Sequence, residues 1–232
     1  MRYFLVLISL MCHTACFAQK DELKKRIESL KYDEANSKSL HVQYQLTIQS
    51  REGNTTESVV MDFKKTGDKC KMEMGEGQLT MVDKDKFVVV NHTNKIIQTG
   101  EDTSGTLKRM QMMEQLGVLV DSMKSIVMKE KDGVLTYTMT YQNFDYSKVE
   151  IAFDKKSGKI KSLYGEFAPN YRDPFKYMKA EYRVWDNRWP VPSGFPGMNE
   201  YIFGIDGRSQ LTASNKGYKL IHTGRRPLSV NR

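Results

Sequence analysis

Between Leu40 and Thr99, apolar and polar residues alternate run after run with a period of two. Successive side chains on a strand point to opposite faces, whereas a helix would return apolar residues every third or fourth position. This stretch is therefore β-sheet, with an apolar and a polar face on each strand. Val42, Tyr44, Leu46 and Ile48 hold one parity of the first run, and Val59, Met61 and Phe63 do so in the second. Cys70, Met72 and Met74 follow in the third, and Leu79 and Met81 in the fourth. The separating segments carry turn chemistry: Arg51-Glu52-Gly53-Asn54, Thr66-Gly67-Asp68, Gly75-Glu76-Gly77 and Asp83-Lys84-Asp85. Loops this short pair neighbouring strands antiparallel, so one continuous meander is expected, with Met61, Met72 and Met81 on a shared face.

The first residues read as an address rather than as fold. Arg2 supplies a positive charge, and Phe4 to Met11 is apolar but too short to span a bilayer. Cys16-Phe17-Ala18 then puts small side chains where a signal peptidase inspects them. A secretory signal over residues 1–18 is expected, with the mature chain starting at Gln19. Met11 before Cys12, and His13-Thr14-Ala15 before Cys16, do not fit a lipoprotein signal, so no lipid anchor is expected. Lys20-Asp21-Glu22-Leu23 is no retention signal, because that address is read only at a C-terminus.

Cleavage would remove two of the three cysteines and leave Cys70 alone, so no internal disulfide is expected. On the apolar parity, Cys70 reads as a small buried hydrophobe. The formal net charge is +8. The lysines, however, sit at hairpin ends and on polar strand faces, as at Lys64-Lys65, Lys69, Lys71, Lys84, Lys86 and Lys155-Lys156. They read first as a solvated face, with weak attraction to anionic lipid surfaces or partners as the sharper alternative, and export argues against a nucleic-acid partner.

From Asp21, the residues Leu23, Ile27 and Leu30 recur at helical spacing beside a Lys24–Glu28 pair, predicting a short amphipathic helix that ends near Asn36-Ser37. Lys86–Asn91 and Lys95–Gln98 supply further strands, and Phe87-Val88-Val89-Val90, apolar on both faces, reads as central. After the Gly100–Gly105 loop, a second helix is expected from about Thr106, its stripe formed by Leu107, Met110, Met113, Leu116, Gly117 and Val120. Strands resume at Ile126–Lys129, Val134–Gln142, Ser147–Phe153 and Lys159–Phe167. Beyond Phe167 the composition shifts: five of six prolines fall between Pro169 and Pro196, among Tyr171, Phe175, Tyr177, Trp185, Trp189 and Phe195. There Lys179–Asp186 reads as a strand, Trp189–Gly197 as a rigid loop, and Tyr201–Gly204, Gln210–Thr212 and Tyr218–Thr223 as short strands. No repeat or linker divides the chain, so residues 19–232 are expected to form one domain.

No catalytic pattern emerges. His41, His92 and His222 are scattered without metal-ligand spacing, no Gly-x-Ser-x-Gly elbow is present, and Ser157-Gly158-Lys159 sits in a hairpin turn. A non-enzyme without metal or cofactor is expected. Methionine is the unusual signal, with fourteen in the chain, Met61, Met72, Met74 and Met81 on the apolar parity and Met110, Met112 and Met113 on the second helix. Flexible thioethers line surfaces that accept variable apolar ligands, and they also fill ordinary cores. Both readings stay open at this point.

Asp21-Glu22-Leu23-Lys24-Lys25-Arg26-Ile27 followed by Ser39-Leu40-His41-Val42-Gln43-Tyr44 resembles the opening of the periplasmic outer-membrane lipoprotein carriers, the LolA-like family. Met61-Asp62-Phe63-Lys64-Lys65 is similar to the family's next strand, which ends in a basic residue. Met81-Val82-Asp83-Lys84-Asp85-Lys86-Phe87 resembles its Asp-Gly turn and aromatic strand, with Lys84 in place of glycine. The helix after Gly105 falls where the family places a lid. The resemblance spans residues 20–167, and 168–232 diverge from it. It implies an α+β, mostly β fold: a curved antiparallel sheet forming an incomplete β-barrel, with helices covering its concave apolar face. Acyl chains of a lipoprotein or lipid would bind there, in the periplasm, without reaction or cofactor, and an envelope membrane protein would act as acceptor. The lining would then be Val59, Met61, Phe63, Met72, Met74, Leu79, Met81, Phe87, Val89, Met110 and Met113, with Lys65 at the rim. The alternative is a non-catalytic envelope interaction protein with a filled core, binding a protein partner through residues 171–195.

Intact-mass measurement of protein from its native envelope is expected to give a chain beginning at Gln19. A diacylated or triacylated Cys12 or Cys16 would show instead that the chain is anchored.

Overall fold

A computed structural model describes residues 2–52, 55–84, 86–101, 112–142, 144–172, 174–205 and 208–223. Helix α1 (Arg2–Asn36) leads into β1 (Leu40–Ser50), β2 (Thr56–Thr66), β3 (Lys69–Met74), β4 (Gln78–Asp83), β5 (Lys86–Asn91) and β6 (Ile96–Glu101). Helix α2 (Met112–Ser122) precedes β7 (Ser125–Lys131), β8 (Val134–Thr140), β9 (Tyr146–Asp154), β10 (Ile160–Phe167) and β11 (Phe175–Asp186). After a 3-10 turn at Met198–Glu200 come β12 (Ile202–Ile205) and β13 (Arg208–Leu211), and a second 3-10 turn at Ala213–Asn215 precedes β14 (Lys219–Thr223).

The fold is α+β and mostly β. Twelve strands pair in the order β14-β6-β5-β4-β3-β2-β1-β11-β10-β9-β8-β7, while β12 pairs with β13. Two edges remain, at β14 and β7, so the sheet is unclosed, as an incomplete barrel requires. The described pairs are antiparallel except β14, which runs parallel to β6. That pairing needs a glycine, because a Cβ on Gly100 would lie 2.5 Å from the Thr223 carbonyl oxygen. Helix α1 continues through Ala18 and ends at Asn36, whose side-chain amide donates to the Tyr32 carbonyl (3.0 Å).

The chain forms two compact units, each assembled from separated segments. One comprises α1, residues 45–58 and residues 112–183; the other draws on residues 37–44, the segment from Val59 through β6, and the segment from Val184 through β14.

In the first unit, β7 to β11 form a second meander. Its register puts Leu135, Tyr137 and Met139 opposite Phe153, Ile151 and Val149, and these share a face with Ile126, Ile160 and Ala180. All of them are buried, as are Leu23, Ile27 and Leu30 on α1 and Leu116 and Val120 on α2. The predicted stripe of α1 is therefore the buried one; of the second stripe, Leu116 and Val120 are buried and Gly117 is half-buried. Arg26 lies within this packing: its guanidinium donates to Glu22 (2.9 Å) and to the Tyr137 hydroxyl (3.2 Å), 5.8 Å above the centre of the Phe153 ring. Burial, then the hydrogen bond to Glu22, pushes the Tyr137 hydroxyl up to about 12. The expected Lys24–Glu28 pair gives way to Lys24–Asp121 at 2.7 Å, since α2 brings a carboxylate closer than the helix's own next turn does.

At one end of this unit the rings of Tyr141, Phe144, Tyr146, Phe167 and Tyr171 follow one another at 4.7–6.4 Å between centroids. Arg51 ties this end together, its guanidinium donating to the carbonyls of Phe167, Ala168 and Pro169. The polar faces carry cation–carboxylate pairs two residues apart, including Lys148–Glu150 (3.2 Å), Lys179–Glu181 (2.8 Å) and Lys71–Glu73 (2.8 Å). Such solvated pairs contribute little to stability.

Phe153 is fully buried between Tyr137 and Arg26. Phe153→Ala is expected to cost about 3–5 kcal/mol in denaturant unfolding. Val127→Ala, at a side chain 51% exposed, should stay within about 0.5 kcal/mol of the parent.

Candidate functional site

The second unit sorts the methionines. Across β2 and β3, Met61 faces Met74, Phe63 faces Met72 and Lys65 faces Cys70. Continuing outward, Met72 faces Thr80 and Cys70 faces Val82; Val89 faces Thr80 and Phe87 faces Val82. On β1, His41 and Gln43 reach Asp62 on the opposite, polar side (3.0 and 3.3 Å), which turns Leu40, Val42 and Tyr44 toward this same apolar face. The His41 contact is too oblique to be a hydrogen bond.

This face is graded along the strands. At the end near the β2–β3 turn, Phe63, Lys65, Cys70, Val82 and Phe87 are all buried. At the end near the β3–β4 turn, Val59, Met72 and Val89 are half-buried and Met74 is 39% exposed. That turn holds Gly75 at φ 55°, where a Cβ would meet Val59 Cγ2 at 3.1 Å, so glycine sets how closely the strand end approaches. Trp189 braces the buried end: the Ser39 hydroxyl donates to its carbonyl (2.9 Å) and its indole N–H donates to the Lys65 carbonyl (3.4 Å).

The opposite face of β4 to β6 is ordinary core. Leu79, Met81, Val88, Val90 and Ile97 are buried there under Met198, Tyr201, Ile202, Leu211, Tyr218 and Leu220 from the C-terminal segment. Met81 faces Lys71 and Leu79 faces Glu73, so neither joins Met61 and Met72.

The candidate set therefore divides. Val59, Met61, Phe63, Met72, Met74, Phe87, Val89 and Lys65 lie on one face, and Leu79 and Met81 on the other. The expectation that Met61, Met72 and Met81 share a face is corrected, and the reason is physical. Four consecutive β4 residues, Leu79–Val82, are buried, so apolar parity alone does not say which of its faces continues the methionine face. Lys65 is corrected too. It is 6% exposed among Phe63, Cys70, Val82 and Phe87, not at a solvated rim. Met110 and the expected helix start at Thr106 lie outside the described residues. Met113 falls in α2, beyond what is described of its side chain. Thr80 and Val82 were not anticipated on this face, and Trp189 was legible only as part of an aromatic, proline-rich loop.

No family model and no curated protein matches the chain. Among solved structures, it is similar to an uncharacterized conserved protein from Thermus thermophilus, at 8% identity and a TM-score of 0.42, over 87% of this chain and 99% of that one. It is also similar to a protein domain named for outer membrane lipoprotein sorting from Vibrio parahaemolyticus (12% identity, TM-score 0.34, 76% of this chain and 97% of that one). A third is a LolA superfamily protein from Nitrosomonas europaea, at 10% identity and TM-score 0.32, covering 73% and 94% of the two chains. At these identities no residue's role transfers.

Truncation separates the two faces. Met81→Ala, in the covered core, is expected to cost about 2–5 kcal/mol in denaturant unfolding. Met74→Ala, at the open end, should change stability by less than about 0.5 kcal/mol. Equal losses at both positions would mean that the methionine face is packed as tightly as the core.

Proposed function

We propose that this chain is an exported, non-catalytic carrier or sensor, and that it shelters acyl chains of a lipid or lipoprotein on the Met61–Phe63–Met72–Met74 face. One observation carries the reading: an apolar face lined by flexible thioethers and a phenyl ring passes from buried to half-open along a few residues. A straight hydrocarbon chain needs such a strip, because its binding scales with the apolar area removed from water and demands no directional partner. Methionine adapts to chains of different shape better than branched residues do. A periplasmic location follows from the signal expected over residues 1–18, and the described helices contain none long and apolar enough to cross a membrane.

The partner-binding alternative through residues 171–195 is less well supported. Trp185 and Trp189 are buried, and Tyr171 stacks on Phe167 at 4.7 Å, so these three rings are already covered or stacked by the chain itself.

Mass spectrometry of gently isolated protein is expected to find co-purified lipid, and the protein should bind a fluorescent fatty-acid probe. Met72→Gln should weaken the probe at least about tenfold, equivalent to about 1.4 kcal/mol. Lys71→Gln, one residue away on the other face, should leave it unchanged. A parent protein that carries no lipid and binds no probe would remove the carrier reading in favour of the interaction protein.

A further inference from the structure

We infer that Met61, Met72 and Met74 also form a binding site for a soft monovalent metal ion, Cu(I). The inference goes beyond the acyl-chain reading and does not depend on it. Met74 lies directly opposite Met61, and Met72 lies two residues along β3 on the same face. Directly opposed strand residues hold their Cβ atoms about 4.5–5.5 Å apart, and two steps along a strand span about 6.6 Å. Three thioethers on flexible, unbranched stems can therefore converge on one point above the face.

The exposure gradient suits ion capture. Met61 is buried, Met72 is half-buried and Met74 is 39% exposed, so the point where the sulfurs meet has one open side. Strands favour β-branched and aromatic residues, and three adjoining methionines on one strand face run against that preference. Thioether sulfur is a neutral, soft ligand, matched to Cu(I) and poorly suited to cations that take oxygen ligands. Binding involves no change of oxidation state: the ion enters as Cu(I), and three neutral sulfurs replace the ligands that delivered it. Cys70 is the rival donor, since it lies two residues beyond Met72 on the same face, but its side chain is fully buried at the closed end.

The test uses the full chain with two probes. Ag(I) is equally soft and needs no reductant, and Cu(I) is competed anaerobically against bathocuproine disulfonate. One equivalent of each is expected to bind. The Met72→Leu, Met74→Leu double variant keeps volume and apolarity while removing two sulfurs, and should lose affinity by at least about tenfold. Cys70→Ser should bind as the parent does. No uptake by the parent, equal binding by the double leucine variant, or loss on Cys70→Ser alone would each overturn the site. The acyl-chain reading is scored on the parent protein alone, by its co-purified lipid and its binding of the fatty-acid probe, so failure of the metal site and failure of that reading are separately visible.

Discussion

β4 and β5 carry buried side chains on both faces, and each face has to be kept from water by something. On one side the answer is the chain's own C-terminal excursion, whose Tyr201, Leu211 and Leu220 pack on Leu79, Met81 and Ile97. The other side holds Phe63, Met72, Val82 and Phe87, closed at one end and half-open at the other. The strand pair divides the second unit into a finished core and a face with room at its edge. Everything proposed about function rests on that asymmetry.

Much of the architecture was legible from residues alone. The central place of β5 follows from its unbroken apolar run, whereas the first meander, the strands after α2 and the helical stripe of Leu23, Ile27 and Leu30 follow from periodicity, because solvent contact on one side leaves a periodic trace. The trace vanishes where burial is two-sided. In β4 the alternation says nothing about which parity continues from β3, so Met81 reads as a neighbour of Met61 and Met72 but faces Lys71 on the other side. Lys65 reads as a rim residue because a basic residue at a strand end ordinarily marks solvent, and only the cross-strand register puts it opposite Cys70 on the buried face. The parallel β14–β6 ladder was illegible, because it joins residues more than a hundred positions apart and no local pattern encodes such a partner.

The first unit handles polarity differently. Its apolar face accepts one guanidinium, Arg26, which is tolerable because Glu22, the Tyr137 hydroxyl and the Phe153 ring all engage it. Burying a charge without such partners would be costly. The stacked rings at Tyr141–Tyr146 and Phe167–Tyr171 fasten hairpin ends that would otherwise fray.

The interleaved segments have a consequence for how the chain becomes folded. Residues 37–44 and the strands from Val59 wait for the segment after Val184 before their unit is whole. Its last strand aligns Lys219 with Ile96, a contact of high sequence separation and therefore late to form. Until that segment docks, the Leu79–Ile97 face lacks its cover of Met198, Tyr201, Ile202, Leu211, Tyr218 and Leu220. An apolar face of five side chains left without its cover is a surface prone to association, so the C-terminal segment guards against aggregation as well as completing the core.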